Sequence, residues 1–396
     1  MLPNVEKITF LTGNMELVDY SSQIGALPVF SSEILHFLSS LSKEIMKDPR
    51  TRAYPDLTAY AFWIRKASLE KIRDQQYHTY KGLGRGVSFH IAPSNVPVAF
   101  ALSFTAGLLA GNACIVRVSN KDYPQVQIIS EAAGNLLANE FRALAPYLLL
   151  IRYDHDAAIT QALSDICDVR VIWGGNRTIS TIRAASLPPR AVELTFADRH
   201  SMAVIDADRY LEMNPIEIAE NFYLDTYYID QNACSSPRLV VWLGHAIELA
   251  QQRFWGTLER LVREKYDFQS VQSVDKLDAF CRLAVRHPEV RKQGNGALMR
   301  VALPTLWPDV MELKEGGGYF FEYRAETLSE LTPVLGKPCQ TVAYLGVAAE
   351  ELYSAVLRLG VRGVDRIVPV GKTMELSLVW DGFDLVKSMS REIEIQ

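Results

Sequence analysis

The chain has 396 residues, 48% of them hydrophobic, with a formal net charge of -5 and five cysteines. That size and apolar content support a large core split over two or three lobes, and the acidic balance, with no Lys/Arg-rich run interleaved with aromatics, excludes a nucleic-acid partner. The cysteines are odd in number and far apart, which excludes a disulfide framework and a zinc site; the longest apolar run, 96–110, is broken by Pro97, Ser103, Thr105 and Gly107, so no membrane span is expected and the protein reads as cytoplasmic.

Two short apolar runs, Ile8-Thr9-Phe10-Leu11 and Leu17-Val18-Asp19-Tyr20, read as paired strands. Apolar spacings of three and four predict helices over 34–46 and 57–73, with Asp56 placed to cap the second. Lys81-Gly82-Leu83-Gly84-Arg85-Gly86 superficially suggests a phosphate loop, but no strand precedes it and a strand, not a helix, follows. Strand and helix then alternate: strand 87–92, helix 97–110, strand 113–118, helix 124–139, strand 147–151, helix 157–164, strand 169–173, helix 176–185 and strand 190–196. This pattern predicts a parallel sheet with helices on both faces. Ligands of such sheets sit at the carboxyl ends of the strands, where the polar loops at Asn95, Arg117 and Gly174 fall.

A second α/β unit begins near Met202. It carries helix 216–228, strand 239–243, a long helix over 245–266, a helix near 276–285, strands near 298–303, 319–323 and 341–345, helix 348–359 and strand 364–370. The tail over 380–395 ends in a strand-like stretch, 392–395, which could add to a sheet of a partner subunit.

Chemistry concentrates at Asp230-Gln231-Asn232-Ala233-Cys234-Ser235-Ser236-Pro237-Arg238, a polar knot between a helix and a buried strand. Such a turn offers free amides and a fixed sulfur, which suits a nucleophile; the alternative is a small buried cysteine. Asn95, just before an apolar helix, is either an N-cap or an amide donor to a developing oxyanion. Arg117, followed by Ser119, Asn120 and Lys121, is either a surface ion-pair residue or placed for an adenosine ribose or its phosphate. Gly174-Gly175 is either a simple turn or a point of close nucleotide approach. Glu193 interrupts an apolar strand, so it faces a polar site or pairs with a base such as Arg190. The seven histidines have no metal-like or triad-like partner in sequence.

The order and spacing of these strings resemble the aldehyde dehydrogenase superfamily. The stretch 91–121 is similar to that superfamily's oxyanion-asparagine loop, helix and ribose-binding strand. Trp173-Gly174-Gly175-Asn176 is similar to its loop beneath the nicotinamide, Glu193-Leu194 to its glutamate segment, and Asn232-Ala233-Cys234 to its nucleophile loop. Cys234-Ser235-Ser236-Pro237, with Gly363-Val364-Asp365-Arg366-Ile367-Val368-Pro369-Val370-Gly371 and Trp380-Asp381-Gly382, resembles the LuxC-type acyl-CoA reductase branch more closely.

The resemblance implies an aldehyde dehydrogenase-like α/β fold with two open α/β domains. A parallel-sheet cofactor domain would occupy 1–196, a catalytic domain 197–370 and an oligomerisation tail 371–396. It implies Cys234, Asn95 and Glu193 as catalytic residues, and Ser94, Arg117, Ser119, Asn120, Lys121, Gly174, Gly175 and Asn176 around the cofactor. Two departures stand out. Asn120-Lys121 replaces a glutamate often found near the ribose, which favours NADPH over NADH. Thr195-Phe196 replaces a pair of glycines after Glu193, which puts its role as a base in question. The expected reaction is NADPH-dependent reduction of an acyl thioester, on CoA or on a protein, to an aldehyde through a cysteine-linked acyl-enzyme. A homo-oligomer and an acyl-transferring partner enzyme are expected with it. The alternatives are an NAD(P)-dependent aldehyde dehydrogenase running oxidatively, a cysteine acyltransferase or hydrolase without a nicotinamide, and a non-catalytic assembly subunit.

Overall fold

The computed structural model describes residues 3–395; Met1, Leu2 and Gln396 lie outside the described residues. The chain divides into two units, one built from Met1–Ala197 with Leu376–Gln396 and the other from Asp198–Glu375. In the first unit the strands are β1 (Thr9–Thr12), β2 (Gly82–Gly84), β3 (Val87–Ile91), β4 (Ala113–Arg117), β5 (Leu148–Arg152), β6 (Val169–Trp173) and β7 (Val192–Phe196). Six of them form a sheet in the order β1-β5-β4-β3-β6-β7, parallel throughout except for β1, which runs against β5. Side-chain alternation explains the layering. Cys114, Val116, Leu148 and Leu150 pack with helices Ser32–Lys47, Ala99–Leu109 and Pro124–Ala138, while Ile115, Leu149 and Ile151 pack with Ile159, Leu163 and Ile179 on the other face. Strands buried on both faces read as continuous apolar runs, which is what the sequence displays.

Three local expectations are corrected. Leu17-Val18-Asp19-Tyr20 lies in a helix, Met15–Ser21, because the Asn14 side chain accepts from the Leu17 amide at 3.0 Å and caps its first turn. The region 57–73 is two helices, Pro55–Trp63 and Lys66–Ile72, parted by an extended Arg65. Asp56 sits inside the first turn, and the cap position belongs to Tyr54 ahead of Pro55. The glycine run serves backbone proximity: a Cβ on Gly84 would lie 2.2 Å from the Gly111 carbonyl oxygen.

The second unit contains β8 (His200–Asp206), β9 (Pro237–Leu243), β10 (Arg291–Asn295), β11 (Leu298–Ala302), β12 (Tyr319–Arg324), β13 (Cys339–Leu345) and β14 (Arg366–Pro369). Their order is β10-β11-β12-β9-β8-β13-β14, with only the β10–β11 pair antiparallel. Met202, Val204, Leu239 and Val241 enter one core and Ala203, Ile205, Val240 and Trp242 the other.

The tail returns to the first unit as β15 (Val379–Trp380), β16 (Phe383–Asp384), helix Leu385–Met389 and β17 (Ser390–Glu392). β17 pairs antiparallel with β2 of its own chain, and the strand expected at 392–395 ends at Glu392. Side-chain bonds secure the tail: Asn112 Nδ2 donates to the Met389 carbonyl at 2.9 Å and Tyr77 Oη to Asp384 at 2.9 Å.

Candidate active site

In the first sheet the chain order reverses between β3 and β6, the switch point at which open α/β sheets form a ligand crevice. A pocket of about 460 Å³ lies at these carboxyl ends, lined by the loops after β3 (Ser94, Asn95), β4 (Arg117, Ser119, Asn120, Lys121), β5 (Asp154, His155) and β6 (Gly174, Gly175, Thr178). Seven of the eight expected cofactor residues line it together with Asn95; Asn176, the first residue of the helix Asn176–Arg183, is not among the lining residues. Buried polar contacts set the loop positions. His90 is clamped between Ser103 (2.7 Å) and Ser88 (2.8 Å), and burial pulls its imidazole down to about 3, so it is neutral at physiological pH. Trp173 donates from Nε1 to Ser103 at 2.9 Å and stacks on Phe196 with centroids 3.8 Å apart, which orients the Gly174-Gly175 loop.

Several ambiguities of the sequence resolve here. Asn95 is not a helix cap: the following helix, Ala99–Leu109, has Val98 at its cap position and no side-chain cap bond. Asn95 is exposed at the pocket instead. Arg117 donates from Nε to the Tyr153 carbonyl at 3.2 Å and lies over the Tyr153 ring, so it is held at the pocket rather than spent on a carboxylate. Asp154, which pattern reading missed, accepts from Asn120 Nδ2 at 2.6 Å. A Cβ on Gly174 would lie 3.0 Å from Thr178 Cγ2, so the loop is narrow there. Gly175 occupies the cap position of Asn176–Arg183 without a side-chain cap bond.

In the second unit Cys234 lies in a turn at the amino end of β9, after helix Pro215–Asp225 and the short 3-10 segment Tyr227–Ile229. Asp230 and Gln231 adopt left-handed backbone, φ 53° and 55°, which reverses the chain. The buried Gln231 side chain holds that conformation by accepting from Gly318 N at 2.7 Å and donating to the Pro237 carbonyl at 3.1 Å. Ser201 Oγ donates to the Cys234 carbonyl at 2.7 Å, and Ser236 N closes onto Ala233 O at 3.1 Å. Cys234 itself is half-buried, whereas Cys114, Cys167 and Cys339 are fully buried with thiols that burial pushes up to about 12. Cys281 is exposed on helix Ser270–Arg286.

Two cations act on Cys234. The Arg238 guanidinium donates to the backbone carbonyls of Gln231 and Glu315, burial pulls it down to about 10, and it interacts electrostatically with Cys234. Lys314, lowered by burial, does the same. Arg238 remains charged near neutrality, and a positive potential of this kind is what a thiolate would need. Arg238 was visible in the knot; that its guanidinium folds back on the turn was not. The segment after β14 closes the other side: Ser235 Oγ contacts Met374 Sδ at 3.6 Å, and the buried Asp225 carboxylate accepts from Gly371 N at 2.6 Å and Thr373 N at 3.0 Å.

Of the two readings of Glu193, pairing with basic residues holds, with partners other than Arg190. Glu193 lies at the amino-terminal end of β7, opposite Arg170 of β6, and is not among the residues lining the pocket. Its partners are Arg170 (Nε to Oε2, 2.8 Å) and Arg183 (Nε to Oε1, 2.6 Å), not Arg190. The Glu193 carboxylate is thus tied to two guanidiniums at the end of the strand away from the pocket. Its partners are 23 and 10 residues away in sequence, and only strand pairing brings Arg170 beside it.

Among the described residues no group of three or more His, Cys, Asp or Glu side chains could hold a metal ion, and no helix is long and apolar enough to cross a membrane.

Comparison with known proteins agrees with this architecture. The chain superposes on 1-pyrroline-5-carboxylate dehydrogenase of Thermus thermophilus with a TM-score of 0.65 at 13% identity, covering 96% of this chain and 85% of that one. It superposes on an NAD-dependent benzaldehyde dehydrogenase of Corynebacterium glutamicum with a TM-score of 0.64 at 10% identity, covering 99% and 95%. At such identities the likeness is one of fold, that of the aldehyde dehydrogenases. By sequence it is 25% identical over 296 residues to the long-chain acyl-protein thioester reductase of Aliivibrio fischeri, covering 74% of this chain and 59% of that protein. The corresponding protein of Photobacterium phosphoreum is 25% identical over 300 residues, covering 74% and 58%. This chain thus spans less than two thirds of the length of these curated relatives. Residues 23–264, a stretch that includes the pocket loops, Glu193 and the Cys234 turn, match the family described as acyl-CoA reductase (LuxC), and the chain belongs to that family.

Proposed function

We propose that this protein reduces an acyl thioester to an aldehyde through an acyl-enzyme on Cys234, using NADPH. The observation that carries the proposal is the Cys234 turn: a half-buried sulfur on a rigid reversal, with Arg238 and Lys314 acting on it. Its thiolate adds to the thioester carbonyl, and collapse of the tetrahedral adduct expels the substrate thiolate. The acyl-enzyme is itself a thioester and stays electrophilic. When bound, NADPH supplies the hydride that takes this acyl group to a thiohemiacetal, from which aldehyde departs and the cysteine is regenerated. Asn95 Nδ2 and the Cys234 amide are assigned as donors to the oxyanion. Glu193 takes no part, and a route without a base to activate water favours reduction over hydrolysis of the acyl-enzyme.

The residues around the first-unit pocket fit a nicotinamide dinucleotide. The uncapped amino end of Asn176–Arg183 beyond Gly175 suits a pyrophosphate, and Arg117 with Lys121 suits a ribose phosphate. Asp154 opposes that charge, but its Oδ1 is occupied by Asn120. On balance NADPH is preferred over NADH, and Lys121→Glu should reduce kcat/KM for NADPH about tenfold, 1.4 kcal/mol, while leaving NADH nearly unaffected.

The names of the relatives point to a long-chain acyl group carried on a protein as the substrate, with the acyl-carrying protein as partner. Homo-oligomerisation belongs to the same reading and is tested by light scattering on the purified protein. The decisive experiment incubates the protein with fatty-acyl thioesters of CoA and of a carrier protein, followed by intact-mass spectrometry. An adduct on Cys234 that NADPH discharges as aldehyde is expected. Absence of the adduct with every thioester, or aldehyde oxidation without a thiol acceptor, would overturn the proposal.

A further inference from the structure

At the opposite end of the first sheet from the cofactor pocket is a second cavity, of about 420 Å³, lined by Arg85, Asp168, Arg190 and Arg391. Four separate segments deliver these side chains. Arg85 joins β2 to β3, Asp168 precedes β6, Arg190 precedes β7, and Arg391 is the middle residue of β17, the strand that pairs with β2. The lining is entirely charged: three guanidiniums against one carboxylate. That carboxylate is already engaged, since Asp168 Oδ2 accepts from the Val87 amide at 2.9 Å. Among the described residues none of the three arginines makes an ion pair, and the Nε of Arg85 is buried with no hydrogen-bond partner.

The contrast with the neighbouring strand starts is informative. Arg170 and Arg183, at the same end of the sheet, are both ion-paired with Glu193. The three arginines of the cavity have no such partner. Gathering like charges around one cavity and burying an unpaired donor each cost free energy, and an anion in the cavity would offset both.

We propose that this cavity binds a small, multiply charged oxyanion, of the phosphate or polycarboxylate class, held by forked guanidinium contacts. The excess of two positive charges selects a dianion or higher over a monocarboxylate, and planar guanidinium forks match both phosphate and carboxylate oxygens. The lining offers no aromatic or aliphatic wall, so recognition runs through the anionic groups and not through a nucleobase or an acyl chain. The site is therefore distinct from the cofactor pocket and does not depend on the reaction assigned to Cys234.

Titration calorimetry of the full chain at constant ionic strength tests this, with inorganic pyrophosphate for the phosphate class, citrate for the polycarboxylate class and acetate as monoanion. Saturable binding of pyrophosphate or citrate, with acetate much weaker, is expected, and the tighter of the two names the class. Arg190 and Arg391 are exposed, so the double variant R190Q/R391Q should fold normally, as its melting curve will report, and weaken binding by about tenfold or more. Arg117→Gln, in the other pocket, should leave in place the binding step that R190Q/R391Q weakens, removing at most a separate step at its own pocket. No saturable binding to the wild type, no step that R190Q/R391Q weakens, or loss of that step in Arg117→Gln would overturn the assignment.

Discussion

Arg238 reaches back across the Cys234 turn to donate to the carbonyl of Gln231, seven residues earlier, while its other arm donates to the carbonyl of Glu315. One guanidinium therefore ties both flanks of the turn together and brings its charge to bear on Cys234. Such a residue has a mechanical and an electrostatic role, and substitution separates them.

Arg238→Met should move the alkylation profile of Cys234 to higher pH and slow its alkylation near neutrality by about tenfold. Arg238→Lys, which keeps the charge but loses the fork, should recover much of the rate and less of the thermal stability. The check is the pH profile of iodoacetamide labelling at Cys234, followed by mass spectrometry. Identical profiles in all three proteins would remove Arg238 from the account of the thiolate.

Asn95 is exposed at its pocket and caps no helix. Asn95→Ala should therefore leave the melting temperature nearly unchanged while kcat falls by about 10² to 10³, the usual effect of deleting one oxyanion donor. A variant that melts early and keeps its turnover would mark Asn95 as structural.

The reverse split is expected at Glu193. Glu193→Gln strips the nearly buried Arg170, 3% exposed, of its carboxylate partner. Breaking such a pair costs about 3 kcal/mol. Unfolding in urea should register that loss, with kcat within about twofold of wild type. A collapse of kcat in a variant of normal stability would restore Glu193 as a base.

Asp225 gives the protein a pH signature. Burial pushes its carboxyl up to about 6 despite amides donated by Gly371 and Thr373. The folded chain then holds this proton more tightly than the unfolded chain, where aspartate titrates near about 3.9. Its contribution to stability is present at low pH, declines by about 2 to 3 kcal/mol as pH rises from about 4 to 6, and is constant above that. Urea unfolding of wild type and Asp225→Asn across this window should show the advantage of the wild type shrinking as pH rises. Parallel curves would mean that the carboxyl is ionised throughout.

Much of the fold was legible because its strands are buried on both faces. Val87 to Ile91, Ala113 to Arg117 and Val169 to Trp173 stand out as apolar runs between helical periods, so their parallel arrangement followed from the alternation alone. The pocket loops were legible for the same reason: a strand that ends in Asn95, Arg117 or Gly174 exposes its next residues at the carboxyl edge. Leu17-Val18-Asp19-Tyr20 was misread since four residues do not separate the two periods, and the cap from Asn14 decided the matter.

The sequence by itself determined the strand and helix alternation of the first unit, the loops that line its pocket, and the polar turn that holds Cys234 ahead of a buried strand. These depend on local periodicity and on side chains close along the chain. The partners of charges were decided only in three dimensions. Arg170 beside Glu193, Lys314 near Cys234, Asp154 under Asn120 and three arginines around one cavity, without an ion pair among the described residues, join residues from different strands or loops. A Coulombic or hydrogen-bonding contact depends on distance through space, which sequence separation does not measure.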